Sequence, residues 1–241
     1  MMTSSYSELQ QQLAGQGFLA RGGFYPRPED AVPDLASGEA VGSVVVVGNV
    51  GSGDFWRQFL QSAEYRDGMA NPMDRWTERV IGKLAAEIGV EALFPSVGPP
   101  YFPFQRWSAR AEELYPSPIG LFVSPQWGTW HALRAAILLP ERVPDLPVLN
   151  RGESPCLGCV DQPCLSACPV SAFVVDQPYD YLGCARHLSK AAGENCIEQG
   201  CLARRACPVG QDFMLLPAHA AFHMTAFSRA RQAELDQENS L

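Results

Sequence analysis

The sequence predicts an α+β protein in two parts: a mixed α/β domain over residues 1–148 and a mainly helical, cysteine-rich domain over residues 149–241. Three observations carry this. The β-branched run Val44–Val47, ahead of Gly48, reads as a buried strand. Residues Asn71–Ile88 repeat apolar side chains at helical spacing. All eight cysteines fall between Cys156 and Cys207.

The elements follow in order. Ser5-Tyr6-Ser7-Glu8 is a capping box, with Tyr6, Leu9 and Leu13 at helical spacing and Gly15 and Gly17 as stops. Residues 22–42, rich in Gly, Pro and acid, read as an irregular loop. After the Val44–Val47 strand comes GNVGSGDFW, which lacks both the Gly-Lys-Ser/Thr of a P-loop and the order of a dinucleotide fingerprint. It reads as a strand-to-helix turn. The next helix has Asn71 as cap, Pro72 in its first position, Gly89 after its end, and Trp76, Val80, Leu84 and Ile88 on one face. The proline-aromatic stretch 95–105 is a stiff loop that walls a pocket or plugs the core, and a short helix follows over Trp107–Leu114. Ile119–Ser124 and Trp130–Leu139 read as two strands of a β-hairpin turning at Trp127-Gly128, with His131 as a structural residue on the second. Residues 141–155 form a proline-rich linker, and the last helix spans Pro217–Asp236. His219 and His223 sit one turn apart on it with no acidic partner nearby in sequence.

Composition narrows the function. The chain of 241 residues is 46% hydrophobic, enough for a real core, and carries a net charge of -8. An acidic chain without a basic block disfavours nucleic acid as the main partner. No apolar run approaches the roughly 20 residues that cross a bilayer, and the opening MMTSSYSELQQQ lacks the form of a secretion signal. The expectation is a soluble cytoplasmic protein with no membrane partner.

The cysteines are the strongest signal. Cys156, Cys159, Cys164 and Cys168 follow the pattern C-x2-C-x4-C-x3-C-P, and Cys184, Cys196, Cys201 and Cys207 follow C-x11-C-x4-C-x5-C-P. Each half therefore ends in Cys-Pro-Val. A cubane iron–sulfur cluster needs four thiolates around a compact core. Three can come from one winding loop, and the fourth must come from elsewhere. In two-cluster ferredoxins the Cys-Pro cysteine ligates the other cluster. On that pattern Cys156, Cys159, Cys164 and Cys207 hold [4Fe–4S] cluster I, and Cys168, Cys184, Cys196 and Cys201 hold [4Fe–4S] cluster II. Two other uses of eight cysteines stand beside this one. Four disulfides suit secreted, loop-rich chains. Two zinc sites of four thiolates usually show paired C-x2-C knuckles, where this chain has a single one.

Residues 118–170, from PIGLFVSPQWGTWHALRAAILLPERVPDLP through CLGCVDQPCLSACPV, resemble the junction in the epoxyqueuosine reductase family. YLGCARHL and GCLARRACPVG resemble that family's second cysteine group. The segment around SPQWGTW is more distantly similar to cobalamin-processing reductases. The resemblance implies a nitroreductase-like α/β domain of corrinoid-reductase type followed by a dicluster ferredoxin-like domain. It implies electron delivery through the clusters to a site in the N-terminal domain. Where the reductases carry an acidic proton donor, this chain has Phe104 and Gln105, which cannot do that job. Where they carry Gly-Lys-Asn, it has Gly120-Leu121-Phe122.

Three functions follow as expectations. One is an iron–sulfur electron-transfer protein or oxidoreductase, its partner a redox protein or a small-molecule electron donor. Another is a cobalamin-dependent or cobalamin-processing reductase, with Phe122, Ser124 and Trp127 contacting the corrin. The third is a non-enzymatic protein with structural clusters.

Overall fold

The structure is a computed structural model that describes residues 5–238. It is a mixed α+β fold with a small antiparallel sheet and many helices. The chain groups into two compact units. The first comprises the described residues up to Glu113 together with His131–Gly152; the second comprises Leu114–Trp130 and the residues from Glu153 onward. Among the described residues no helix is long and apolar enough to cross a membrane.

The first unit is built on four antiparallel strands in the order β1 (Leu19–Phe24), β2 (Ser43–Val50), β6 (His131–Leu139) and β3 (Glu91–Leu93). Val44, Val45, Val46 and Val47 are all fully buried, so β2 is covered on both faces. That is why it reads as a continuous apolar run rather than an alternating one. On one face Val44, Val46, Ala136 and Leu138 meet Trp107 and Ala111 of α5 (Phe104–Ala111). Elsewhere in this unit Phe18 stacks on Trp76 of α4 (Pro72–Ile88) at 5.0 Å. Phe55 and Phe59 of α2 (Gly53–Gln61) close around the same indole at 5.1 and 5.5 Å. The glycine-rich stretch is a strand-to-helix turn, as the missing phosphate-loop residues imply. α1 (Tyr6–Gly15) starts from the Ser5–Glu8 capping box with both reciprocal hydrogen bonds formed.

Several elements differ from the sequence reading. β1 occupies residues expected in part to be loop. Its glycines serve close approach instead: a Cβ on Gly22, at φ +92°, would lie 2.1 Å from the Ala111 carbonyl oxygen. Asn71 adopts a left-handed conformation and makes no side-chain cap. The buried face of α4 is wider than one stripe, since Met73, Thr77, Ile81 and Ala85 join Trp76 and Leu84. α5 begins three residues early, directly after Pro103, because Phe104 is needed in the core beside Trp107. The aromatic loop thus plugs the core, with Phe102 stacked on Trp107 at 5.7 Å.

The expected hairpin does not form. β5 (Phe122–Val123) pairs with β4 (Tyr115–Pro116), whereas β6 pairs with β2 and β3. Ala135–Leu139 are buried throughout, and a two-stranded hairpin would leave one face of that run in water. β6 also carries Arg134, whose Nε donates to Asn49 Oδ1 at 2.8 Å while its guanidinium lies over the Phe55 ring. Burial pulls the Arg134 pKa down to about 10.

One buried ion pair gives the first unit a pH signature. Arg21 donates through Nη2 to Glu112 Oε2 at 2.7 Å. Burial outweighs the attraction of Arg21 and pushes the Glu112 carboxyl up to about 7. From the ordinary value of 4.5 up to about 7, the folded protein binds this proton more tightly than the unfolded chain. The stability from this group is therefore full below that window and falls as pH rises through it. Glu112→Gln, permanently neutral, should gain on the wild type between about pH 5 and about pH 8 when urea midpoints are compared. A stability difference that stays flat across that range would contradict the assignment.

Candidate functional site

The second unit holds every cysteine. Cys156 and Cys159 lie in a winding loop in which the Cys159 N–H donates to the Cys156 carbonyl at 3.3 Å. Cys164 lies in the single turn α6 (Pro163–Ser166), and Cys168 follows it. Cys184 lies in α7 (Tyr181–Leu188), Cys196 in α8 (Glu194–Gln199), and Cys201 precedes α9 (Leu202–Arg205), after which comes Cys207. α10 (Pro217–Glu238) packs on α7 and α8. All eight thiols are free.

The structure brings these thiols together in two sets. Cys156, Cys159, Cys164 and Cys207 line one cavity, walled otherwise mainly by apolar groups such as Pro118, Ile119, Val123 and Pro208. Burial raises the Cys156 and Cys164 thiols, and the Cys207 sulfur adds to the rise in both. Burial likewise raises Cys184, where the Cys201, Cys168 and Cys196 sulfurs add to the rise, and Cys201, where the Cys196 and Cys168 sulfurs add to it. Cys207 thus sits with the first loop, and Cys168 with the later cysteines. Left protonated, these thiols suit burial; a bound cationic metal would deprotonate them outright.

Local backbone prepares several sulfurs to carry charge. The N–H of Ala172 donates to Cys168 Sγ at 3.3 Å. The N–H groups of Ala203 and Arg204, in the first turn of α9, favour charge on the Cys201 sulfur, although Cys201 makes no side-chain cap hydrogen bond there. The Tyr179 hydroxyl donates to the Cys184 sulfur, and its own pKa rises through burial and that bond. Arg204 is part-buried, holds the Thr129 carbonyl, and stacks on Trp130 at 4.7 Å. Its pKa falls to about 10 through burial, opposed by the Cys201 charge.

A second feature locks Cys207 in place. The turn at Trp127-Gly128 lies directly against Val209-Gly210, two and three residues beyond Cys207. A Cβ on Gly128 would stand 2.0 Å from the Val209 carbonyl oxygen, and one on Gly210 would stand 2.3 Å from the Trp127 carbonyl carbon. Both glycines have positive φ, +57° and +70°. Only glycine permits this backbone conformation and this approach together.

Phe122, Ser124 and Trp127 all belong to this second unit. Phe122 sits half-buried in β5 opposite Pro116. Ser124 is buried, and its Oγ accepts the N–H groups of Gln126 and Trp127 at 3.3 Å each, which staples the turn. The Trp127 carbonyl accepts the Trp130 N–H at 3.0 Å. His219 is fully buried, and its Nε2 lies 3.1 Å from that of His223. Among the described residues, no three His, Cys, Asp or Glu side chains converge closely enough to share one metal ion. Tyr179, Arg204 and the Gly128–Gly210 contact were missed by sequence reasoning, because none of them has a local spacing signal.

No family model matches the chain, and no curated protein matches it in sequence. Solved structures do match. The B12-trafficking protein CblC of C. elegans, a homologue of human MMACHC, aligns over 90% of this chain and 88% of its own, with 13% identity and a TM-score of 0.51. A selenomethionine-labelled epoxyqueuosine reductase aligns over 92% of this chain and 64% of its own, with 13% identity and a TM-score of 0.44. The epoxyqueuosine reductase of Bacillus subtilis aligns over 90% and 62%, with 16% identity and a TM-score of 0.44. The chain spans less than two thirds of the length of those two reductases. At such low identity what is shared is architecture: the chain is similar in fold to CblC.

Proposed function

We propose that the chain is an iron–sulfur oxidoreductase whose second unit, a dicluster ferredoxin-like domain, carries two [4Fe–4S] clusters and passes electrons to a site in the first, nitroreductase-like unit. The observation that carries this reading is the cavity that gathers Cys207 with Cys156, Cys159 and Cys164. The fit is chemical as well as geometric. Four cysteines line one shared cavity, and a cubane takes four thiolates around its four-iron core. The walls are mainly apolar, which shields a cluster from water, and a cluster's potential responds to such shielding and to hydrogen bonds on its sulfurs.

When bound, the clusters supply one-electron storage. This chain's own residues do the rest. Cys156, Cys159, Cys164 and Cys207 hold cluster I, and Cys168, Cys184, Cys196 and Cys201 hold cluster II. The N–H groups of Ala172, Ala203 and Arg204 and the hydroxyl of Tyr179 offset negative charge at the cluster II thiolates. The CblC likeness brings cobalamin into the proposal as the candidate ligand of the protein, with a redox protein or small-molecule donor as partner and the cytoplasm as its place.

Protein purified without oxygen should carry about eight irons and about eight sulfides per chain. Its broad visible absorption should bleach with dithionite. A corrinoid, where bound, should stay with the protein through gel filtration as a red species. Zinc or no metal would overturn the proposal, and clusters that resist every accessible reductant would favour the non-enzymatic alternative.

A further inference from the structure

A second, larger cavity of about 660 Å³ lies in the same unit, and Cys156 lines both. Its walls include Ile119, Leu157, Phe173, Val174 and Tyr179. Phe173 and Tyr179 stack nearly parallel, with centroids 4.7 Å apart and planes at 10°. Leu157, Val174 and Val175 are 77%, 52% and 57% exposed, so the cleft presents apolar surface to water. Surface of this kind gathered around a concavity marks a ligand site. The volume suits a small molecule rather than a protein segment.

Charge narrows the ligand. Among the described residues that line the cleft, Asp176 is the charged one, and no Lys or Arg faces it. A phosphate-bearing ligand would find no counter-charge there. Position narrows it further. One wall holds Cys156, of the first set of thiols; another holds Tyr179, whose hydroxyl is bonded to Cys184, of the second.

We propose that this cleft binds an uncharged, planar, quinoid two-electron carrier, placed against the thiolate shells of both clusters. The inference rests on the two-cluster reading and names its electron donor. The reduced carrier is oxidised to the quinone, giving two electrons, one to each oxidised cluster. Its two O–H or N–H bonds break, and the two protons leave through the open side past Asp176. Two one-electron acceptors match one two-electron donor, so the step balances without a further reactant.

Duroquinone and riboflavin are the uncharged probes, and flavin mononucleotide is the phosphate-bearing control. Binding to the anaerobically isolated protein is read by equilibrium dialysis, with iron and sulfide assayed on the same samples. At least one uncharged ring should bind about tenfold or more tighter than flavin mononucleotide. Val174→Trp, which fills the cleft from an exposed position, should weaken that binding about tenfold or more and leave the iron content unchanged. Which ring binds tells a quinol source from a flavin source. Iron-loaded protein that binds neither ring, binds flavin mononucleotide equally well, or ignores Val174→Trp would overturn the site. Ring binding by protein without iron would instead refute the two-cluster reading and with it the redox role of the cleft.

Discussion

Cys207→Ala should remove cluster I and leave cluster II, while Cys168→Ala should do the reverse. The cavity that gathers Cys207 with Cys156, Cys159 and Cys164 is the reason. Each variant takes one thiolate from a set of four, and a cubane short of a ligand is lost or decays to a three-iron form. Iron content should fall from about eight to about four, or to about seven where a three-iron form survives. Electron paramagnetic resonance of the reduced protein should change from a coupled pair to a single cluster signal. The signal left in Cys207→Ala should respond to Tyr179→Phe, because Tyr179 donates to Cys184. Uncrossed ligation predicts the opposite, with Cys207→Ala damaging the cluster held by Cys184, Cys196 and Cys201.

Gly128→Ala should be strongly damaging. Its Cβ would stand 2.0 Å from the Val209 carbonyl oxygen, and the backbone is already left-handed at φ +57°. Strain and overpacking together should cost about 2–5 kcal/mol. The cost falls on the segment that carries Cys207, so cluster I should be lost before cluster II. Gly120→Ala is the control: it has a similar φ of +73° but open space around it. It should cost only the backbone strain, about 1–2 kcal/mol, and keep both clusters. Thermal midpoints and iron content of the two variants check this. A Gly128→Ala protein with full iron and an unchanged midpoint would contradict the clamp.

What could be read in the sequence depended on how local each signal was. Val44–Val47 is buried on both faces, so its composition alone marks a strand. The helices α1 and α4 were legible from caps and apolar spacing, and α10 nearly to its last turn. β1 was hidden because its glycines look like loop but serve close packing, Gly22 against Ala111 and Gly23 against Val44 and Leu146. The hairpin failed because β6 gains more from burial between β2 and β3 than from its sequence neighbour. The two cysteine motifs were visible in spacing. The Trp127-Gly128 turn against Val209-Gly210, the Tyr179 bond to Cys184, and Arg204 on Trp130 join residues far apart in the chain. Such contacts leave no periodic trace in either partner.

The most direct test is anomalous diffraction at the iron edge from crystals grown without oxygen. Two four-iron peaks are expected, one bounded by Cys156, Cys159, Cys164 and Cys207, the other by Cys168, Cys184, Cys196 and Cys201. Single zinc atoms, bridged cystines, or clusters each held by four cysteines consecutive in sequence would contradict that arrangement.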